Sequence, residues 1–372
     1  MNGFYWIYLV MLAATLGCEF AKEREQKRLI YYGACGFLIL IFVAQGITPY
    51  TDIVEYMRQY HIIPTLSFGE MLTHKFEIGY VLLCRVIDAF FGSDRMLLVA
   101  VSLLIMVPFC RSFEKETEAP MVSLMAFLAL GLYSHALGFW RQYCAMAILS
   151  CSYPFIRERK LLPFALTMLL AMSFHKSAAA FAVLYFLSRL PVNKRLLLLC
   201  AVGSALLGLF GRQIITLGIA LIYPRYENVP WEPGSGYNMF AVLWIVTLLA
   251  YWVLGRRMSE DKIRIPFLML LTGAAIQPIA FVYGDWSRIV MYFRVAMVPL
   301  CAEMYVTLFC RKENTPLLAL LQRRMPKLHA AVLTLYDANW LRAAALIGMF
   351  AVLFFWYLSD LEGAVYILAP IT

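Results

Sequence analysis

Charge is scarce in this chain: Asp, Glu, Lys and Arg make up 15% of its 372 residues and 62% are hydrophobic, where a soluble domain carries about a quarter charged. Acids are scarcer still, 23 against 32 Lys and Arg, and no charged stretch is long enough to form a separate soluble domain. Cysteine is limited to 9 residues, an odd number with no Cys-x-x-Cys, so the thiols read as small apolar core residues, neither a disulfide framework nor a metal site. A Gly-rich phosphate loop and a His-Glu-x-x-His are both missing. No internal repeat is found, which weighs against a transporter built from two related halves. The net charge of +9 comes without a basic patch carrying RNA- or DNA-reading motifs, so nucleic acid is not an expected partner.

What is present is a series of apolar runs spread from Phe4 to Leu358. They predict an all-α, polytopic integral membrane helical bundle. A single membrane domain is expected over 1–372, with a periplasmic loop at 46–95 and a cytoplasmic loop at 311–342. The first run, Phe4 to Cys18, has no basic segment before it and no small-residue cleavage site after it, so a retained span is expected rather than a signal peptide. Lys22, Arg24, Lys27 and Arg28 follow it directly. Positive clusters mark the cytoplasmic face, which predicts an outer N-terminus.

The block Leu161 to Leu187 is the most informative. Arg157, Arg159 and Lys160 precede it, and Arg189, Lys194 and Arg195 follow. Both ends are therefore expected inside, yet about 27 residues cannot cross a bilayer twice at roughly 20 residues per crossing. A re-entrant or short hairpin is predicted near His175. Continuing by the same rule, about twelve spans are expected, near 4–20, 29–45, 96–110, 121–139, 142–156, 161–174, 176–190, 196–222, 238–255, 265–284, 289–309 and 343–358. This arrangement puts 22 of the 32 Lys and Arg residues in inner loops. Residues 76–91 would break that asymmetry as a further span. With Glu77, Arg85 and Asp88 at helical spacing among apolar residues, they predict a periplasmic amphipathic helix.

The predicted topology gathers polar residues at one depth on the outer side: Asp52, Glu55, Tyr56 and Arg58, then Glu77, Arg141, Gln142, His175, Lys176 and Ser177, and finally Arg225, Asp285, Arg288 and Arg294. Cations there run against the positive-inside bias, and an anionic ligand such as a lipid-linked diphosphate is the simplest reason for them. Arg offers a planar fork for phosphate, and Lys a compact point charge. Each has a plainer reading: Arg141 as an interfacial anchor, His175 as a core histidine bonded to a carbonyl, Asp285 to Arg288 as a polar turn with its own ion pair, and Asp52 as a solvated turn residue. Tyr223 to Tyr226, with Trp231 and Tyr237, form an aromatic outer loop that suits sugar rings and membrane interfaces alike.

At these residues the chain resembles the EpsG family of bacterial exopolysaccharide proteins, related to Wzy-type polysaccharide polymerases. The resemblance rests on Tyr50-Thr51-Asp52 with Tyr56, Phe76-Glu77-Ile78-Gly79-Tyr80, Arg141-Gln142-Tyr143, Ser173-Phe174-His175-Lys176-Ser177, and Arg288 to Arg294. It implies polymerisation of undecaprenyl-diphosphate-linked oligosaccharide repeat units at the periplasmic face of the bacterial inner membrane. It also implies membrane lipids, a chain-length regulator and a flippase of the same pathway as partners, with no metal or cofactor required. Arg141, Lys176, Arg288 and Arg294 would hold the diphosphate, with Gln142, Ser177 and Tyr56 beside them, and one of His175, Asp52 or Glu77 would act as base. The competing expectations are a lipid-linked oligosaccharide flippase, a membrane acyltransferase and a non-catalytic subunit of polysaccharide assembly.

Overall fold

The computed structural model describes residues 2–45, 52–222, 236–311 and 339–361, together with 322, 324 and 325. Among these residues helix is the only regular structure. The aromatic segment 223–235, expected on the outer side, and most of 311–342 lie outside the described residues.

Cα packing separates two compact units, Met1–Ala179 with Cys301–Thr372, and Ala180–Leu300. In the first unit α1 (Asn2–Phe20) and α2 (Arg24–Ala44) pack together, followed by α3 (Ile53–Ile62), α4 (Phe68–Leu72) and α5 (Ile78–Phe91). Next come α6 (Asp94–Glu116), α7 (Pro120–Ala129), α8 (Leu132–Gly138), α9 (Trp140–Ser150), α10 (Tyr153–Arg157) and α11 (Leu161–Phe174). Helix α6 is central, touching α2, α5, α7 and α9, and α9 in turn packs on α11. Every residue of α7 from Met121 to Ala129 is buried. Tyrosine hydroxyls tie the helices through backbone carbonyl oxygens, Tyr31 to Cys110 (2.5 Å) and Tyr133 to Leu38 (2.7 Å). In an apolar bundle a hydroxyl without such a partner would be costly.

A 3₁₀ segment, Lys176–Ala182, leads the chain into the second unit, where α12 (Val183–Leu187), α13 (Lys194–Ile222), α14 (Tyr237–Leu254), α15 (Asp261–Ile276) and α16 (Trp286–Arg294) follow. Helix α15 packs on α12, α13, α14 and α16. Gly273 makes one of these contacts possible, because a β-carbon there would lie 2.8 Å from that of Phe293. The chain continues through α17 (Met297–Tyr305) and ends its described part in α18 (Asn339–Leu361), which packs on α1.

The expectation of about twelve spans is corrected. Among the described residues six helices are long and apolar enough to cross a membrane: Arg24–Ala44, Asp94–Glu116, Lys194–Gln213, Tyr237–Arg257, Asp261–Phe281 and Trp286–Cys310. A seventh results if α7 and α8, bent by 62°, count as one. The bend sits at Gly131, whose left-handed φ of 74° a residue with a β-carbon rarely adopts. The stretches expected at 142–156, 161–174 and 176–190 are helical but broken short. The 11 residues of α9 rise about 16 Å and the 14 of α11 about 21 Å, against roughly 30 Å of hydrocarbon. Several apolar helices still make this a multi-pass membrane protein.

Residues 78–91 do form a helix, too short to span. Tyr80, Val81, Cys84 and Ile87 are buried on one face, while Leu82, Val86 and Phe90 form an exposed apolar stripe. Arg85 donates to the Leu66 carbonyl oxygen (2.6 Å), holding α5 to the segment before it.

Candidate functional site

Three distant sequence elements meet at Glu77. The residue occupies the N-cap of α5 with an extended backbone, yet its carboxylate makes no hydrogen bond to that helix. It reaches across instead. It accepts from the guanidinium of Arg141 in the first turn of α9 and from the backbone N–H of Lys176 (3.1 Å), and the Nδ1 of His175 lies 3.5 Å away. The imidazole contact is longer than a formed hydrogen bond and acts at ion-pair range. All three side chains are sheltered, Glu77 at 9% exposed, Arg141 at 16% and His175 at 17%.

The local fold explains why. Helix α11 stops at Phe174, and His175 takes an extended conformation (φ −157°, ψ 116°) before the 3₁₀ segment begins. That break leaves the Lys176 N–H without an intrahelical acceptor, the usual condition of a helix start, and Glu77 supplies one. Burial opposes ionisation of Glu77, but the His175 ring, the Arg141 guanidinium and the Lys176 N–H outweigh it and hold the carboxyl at about 2. It therefore carries its charge near neutral pH and is a weak proton acceptor.

Close approach of α5 to the end of α11 depends on Gly79. A β-carbon there would lie 2.7 Å from the Ser173 carbonyl oxygen and 2.9 Å from its carbon, backbone atoms that cannot swing away. Gly79→Ala should push α5 off α11 and cut activity about a hundredfold, the scale of loss for a misplacement near 1 Å. Activity per inserted protein checks this; a normal value would mean that the contact positions nothing.

Aromatic rings frame Arg141. Its guanidinium carbon stands 4.0 Å from the centroid of the Phe76 ring and 5.7 Å from that of Tyr56, and Tyr56 stacks on Trp140 at 5.2 Å and 22°. The Tyr56 hydroxyl approaches Asp52 Oδ2 at 3.5 Å, which ties Asp52 to the same cluster. Behind it, His74 Nδ1 accepts from the Phe76 N–H (3.0 Å), so the ring proton sits on Nε2 and is donated to Gln59 Oε1 (2.9 Å). Burial, then the nearby Lys75 cation, lower the His74 pKa and favour this neutral form. Glu55 completes the network, pairing with Lys75 and with Arg58 (2.8 Å) and accepting from Gln59 (2.9 Å).

Asp52, Tyr56, Glu77, Arg141, His175 and Lys176 are thus brought together. Gln142 is buried in α9, Lys176 is exposed and Ser177 is half-buried. Arg288 and Arg294 belong to the second unit. Arg288 is exposed and lies 3.7 Å from Asp285, the local ion pair of a polar turn, and Arg294 is buried at the end of α16. Sequence reasoning passed over His74, Gln59 and the spacing role of Gly79; only the small residue inside Phe76-Glu77-Ile78-Gly79-Tyr80 hinted at a close approach. Among the described residues, no group of three His, Cys, Asp or Glu side chains is arranged to hold a metal ion.

No curated protein and no solved structure matches the chain. The EpsG family profile does match, over residues 28–321, a range that contains all three elements meeting at Glu77, and the chain belongs to the EpsG family.

Proposed function

We propose that this protein is a Wzy-like polysaccharide polymerase that joins undecaprenyl-diphosphate-linked oligosaccharide repeat units at the periplasmic face of the inner membrane. Family membership points to the polymerase class. The observation that carries the residue assignment is the convergence of Arg141, His175 and Lys176 on Glu77.

In this reading a hydroxyl of the acceptor unit attacks the anomeric carbon of the donor chain. The bond from that carbon to the phosphate oxygen breaks, and polyprenyl diphosphate leaves with the electron pair. Two demands follow: positive charge where the leaving anion forms, and a base for the hydroxyl proton. Lys176 is an exposed cation, and the Arg141 guanidinium, its carbon 4.0 Å from the Phe76 ring centroid, offers phosphate a planar fork. His175 takes the proton on Nε2, the nitrogen turned away from Glu77. Glu77 acts as the positioning residue, fixing both ring orientation and guanidinium in the manner of the third member of a nucleophile–base–carboxylate set. Gln142, Ser177 and Tyr56 are proposed to line the approach, with Asp52 as the alternative base.

Purified protein given synthetic undecaprenyl-diphosphate-linked repeat units should produce a ladder of longer chains. One undecaprenyl diphosphate should be released per bond formed. Lipid binding with neither ladder nor release would leave a binding subunit and end the polymerase reading.

A further inference from the structure

Ends of α1, α2, α6, α7, α17 and α18 close around a cavity of about 590 Å³ in the first unit, a volume within the range of small-ligand sites. It lies away from the Glu77 cluster. Glu114 and Thr117, at the end of α6, line it, and one turn back the Ser112 hydroxyl donates to the Ser150 carbonyl oxygen (3.4 Å) at the end of α9. Arg141 stands at the other end of α9, about 14 Å of helix rise away.

Four cations and three carboxylates line the cavity. Each carboxylate has a guanidinium partner: Glu19 faces Arg342 (2.5 Å), Glu114 faces Arg28 (3.8 Å), and Glu118 pairs with Arg311 from outside the lining. Arg24 and Lys27 are left over. They share one face of the first turn of α2, both are exposed, and among the described residues no carboxylate lies within ion-pair distance of either.

The start of α7 forms another part of the wall. Pro120 brings no N–H, and Ala119 at the N-cap has no side-chain oxygen to offer. The first N–H to find an acceptor is that of Ser123, at the Ala119 carbonyl oxygen (3.1 Å). Those of Met121 and Val122 meet no acceptor among the described residues, although both residues line the cavity and are buried. Buried donors left in that state are costly, and a helix start adds partial positive charge around them.

We propose that this cavity binds the phosphate group of a monoester. Such a group carries a charge of about −1.5 to −2 and three acceptor oxygens. That matches two cations without carboxylate partners and two N–H groups without acceptors, whereas a carboxylate would answer about half of the charge. Phosphate on the backbone donors of a helix start is a favourable arrangement in itself. The rest of the volume takes the organic part of the ester, against Pro120 and Val306. The site stands apart from the polymerase reading, because it shares no residue with the Glu77 cluster.

Two thiols of the lining, Cys18 and Cys310, report occupancy, and Cys151, exposed and outside the lining, is the internal control. Full-length protein in maltoside detergent is alkylated with N-ethylmaleimide, with or without phenyl phosphate, and the labelled peptides are weighed. Phenyl phosphate at about ten times its Kd should slow labelling of Cys310 about tenfold, with Cys151 labelled as before; uncharged benzyl alcohol should protect neither. The double variant R24Q/K27Q should lose the protection. Lys27→Glu, a single exposed change, should do the same if the double variant does not elute as a single species. R189Q/K194Q, which removes equal charge from exposed positions of the second unit, should keep it. Phosphatidic acid, used in place of phenyl phosphate, separates the sources: protection by the soluble ester or by the lipid supports a phosphate site and says which molecule supplies it. Protection by neither would overturn the proposal. So would undiminished protection in R24Q/K27Q and Lys27→Glu.

Discussion

Arg141→Ala should abolish polymer, lowering output by about a hundredfold or more while the protein still inserts. Two losses combine. The first is a phosphate-binding guanidinium at the proposed leaving group. The second is the partner of Glu77: breaking a buried ion pair from one side costs about 3–5 kcal/mol because the remaining charge is stranded, and at 9% and 16% exposure this pair is close to that limit. The stranded carboxylate would then let go of the 175–176 turn, so His175 would lose its orientation as well. Arg141→Lys separates charge from shape. Lysine keeps the charge but not the planar guanidinium, whose carbon lies 4.0 Å from the Phe76 ring centroid, and it should remain mostly inactive. Polymer length on gels, normalised to inserted protein, reads both variants; wild-type chain length in Arg141→Ala would remove this residue from the site.

His175→Ala should cost about 10²- to 10⁴-fold in the rate of chain extension, the range for loss of a positioned general base. Glu77→Gln keeps the volume of the side chain but loses the charge that holds Arg141 and faces Nδ1, and a smaller loss is expected. The double variant is the decisive measurement. If Glu77 works through His175, then adding Glu77→Gln to His175→Ala should do little further harm, because residues acting as a unit are not additive. Losses that multiply would assign Glu77 a role independent of the imidazole. Asp52 becomes the stronger candidate base if His175→Ala retains most of its rate.

The helices were largely legible in the sequence, and their breaks were not. Each apolar run corresponds to helix, because hydrophobicity alone predicts it. Yet the run 121–139 is interrupted at Gly131, and the run 176–190 begins as a 3₁₀ segment before α12. Composition does not record a left-handed glycine or an extended His175, and counting runs therefore overcounted crossings. At the site, charge sidedness and the family resemblance placed Glu77, Arg141 and His175 at one depth. Neither revealed that Glu77 is already committed to Arg141 and to the Lys176 N–H, since such pairing depends on two helices approaching within a β-carbon's width at Gly79. Arg294, expected about a turn and a half into its span, is buried at the end of its helix, a degree of enclosure that sequence spacing does not fix.

The shortness of α11 has a mechanical consequence. A 14-residue helix covers about two-thirds of the hydrocarbon thickness, so the bilayer beside it must pinch inward or admit water to the point where the helix gives way. Either adjustment brings the aqueous boundary down to His175, a form of hydrophobic mismatch that turns a short element into a dimple. On the proposed polymerase reading, a lipid-linked substrate would then keep its tail in oil while its headgroup meets the imidazole, with no need to lift it out of the leaflet.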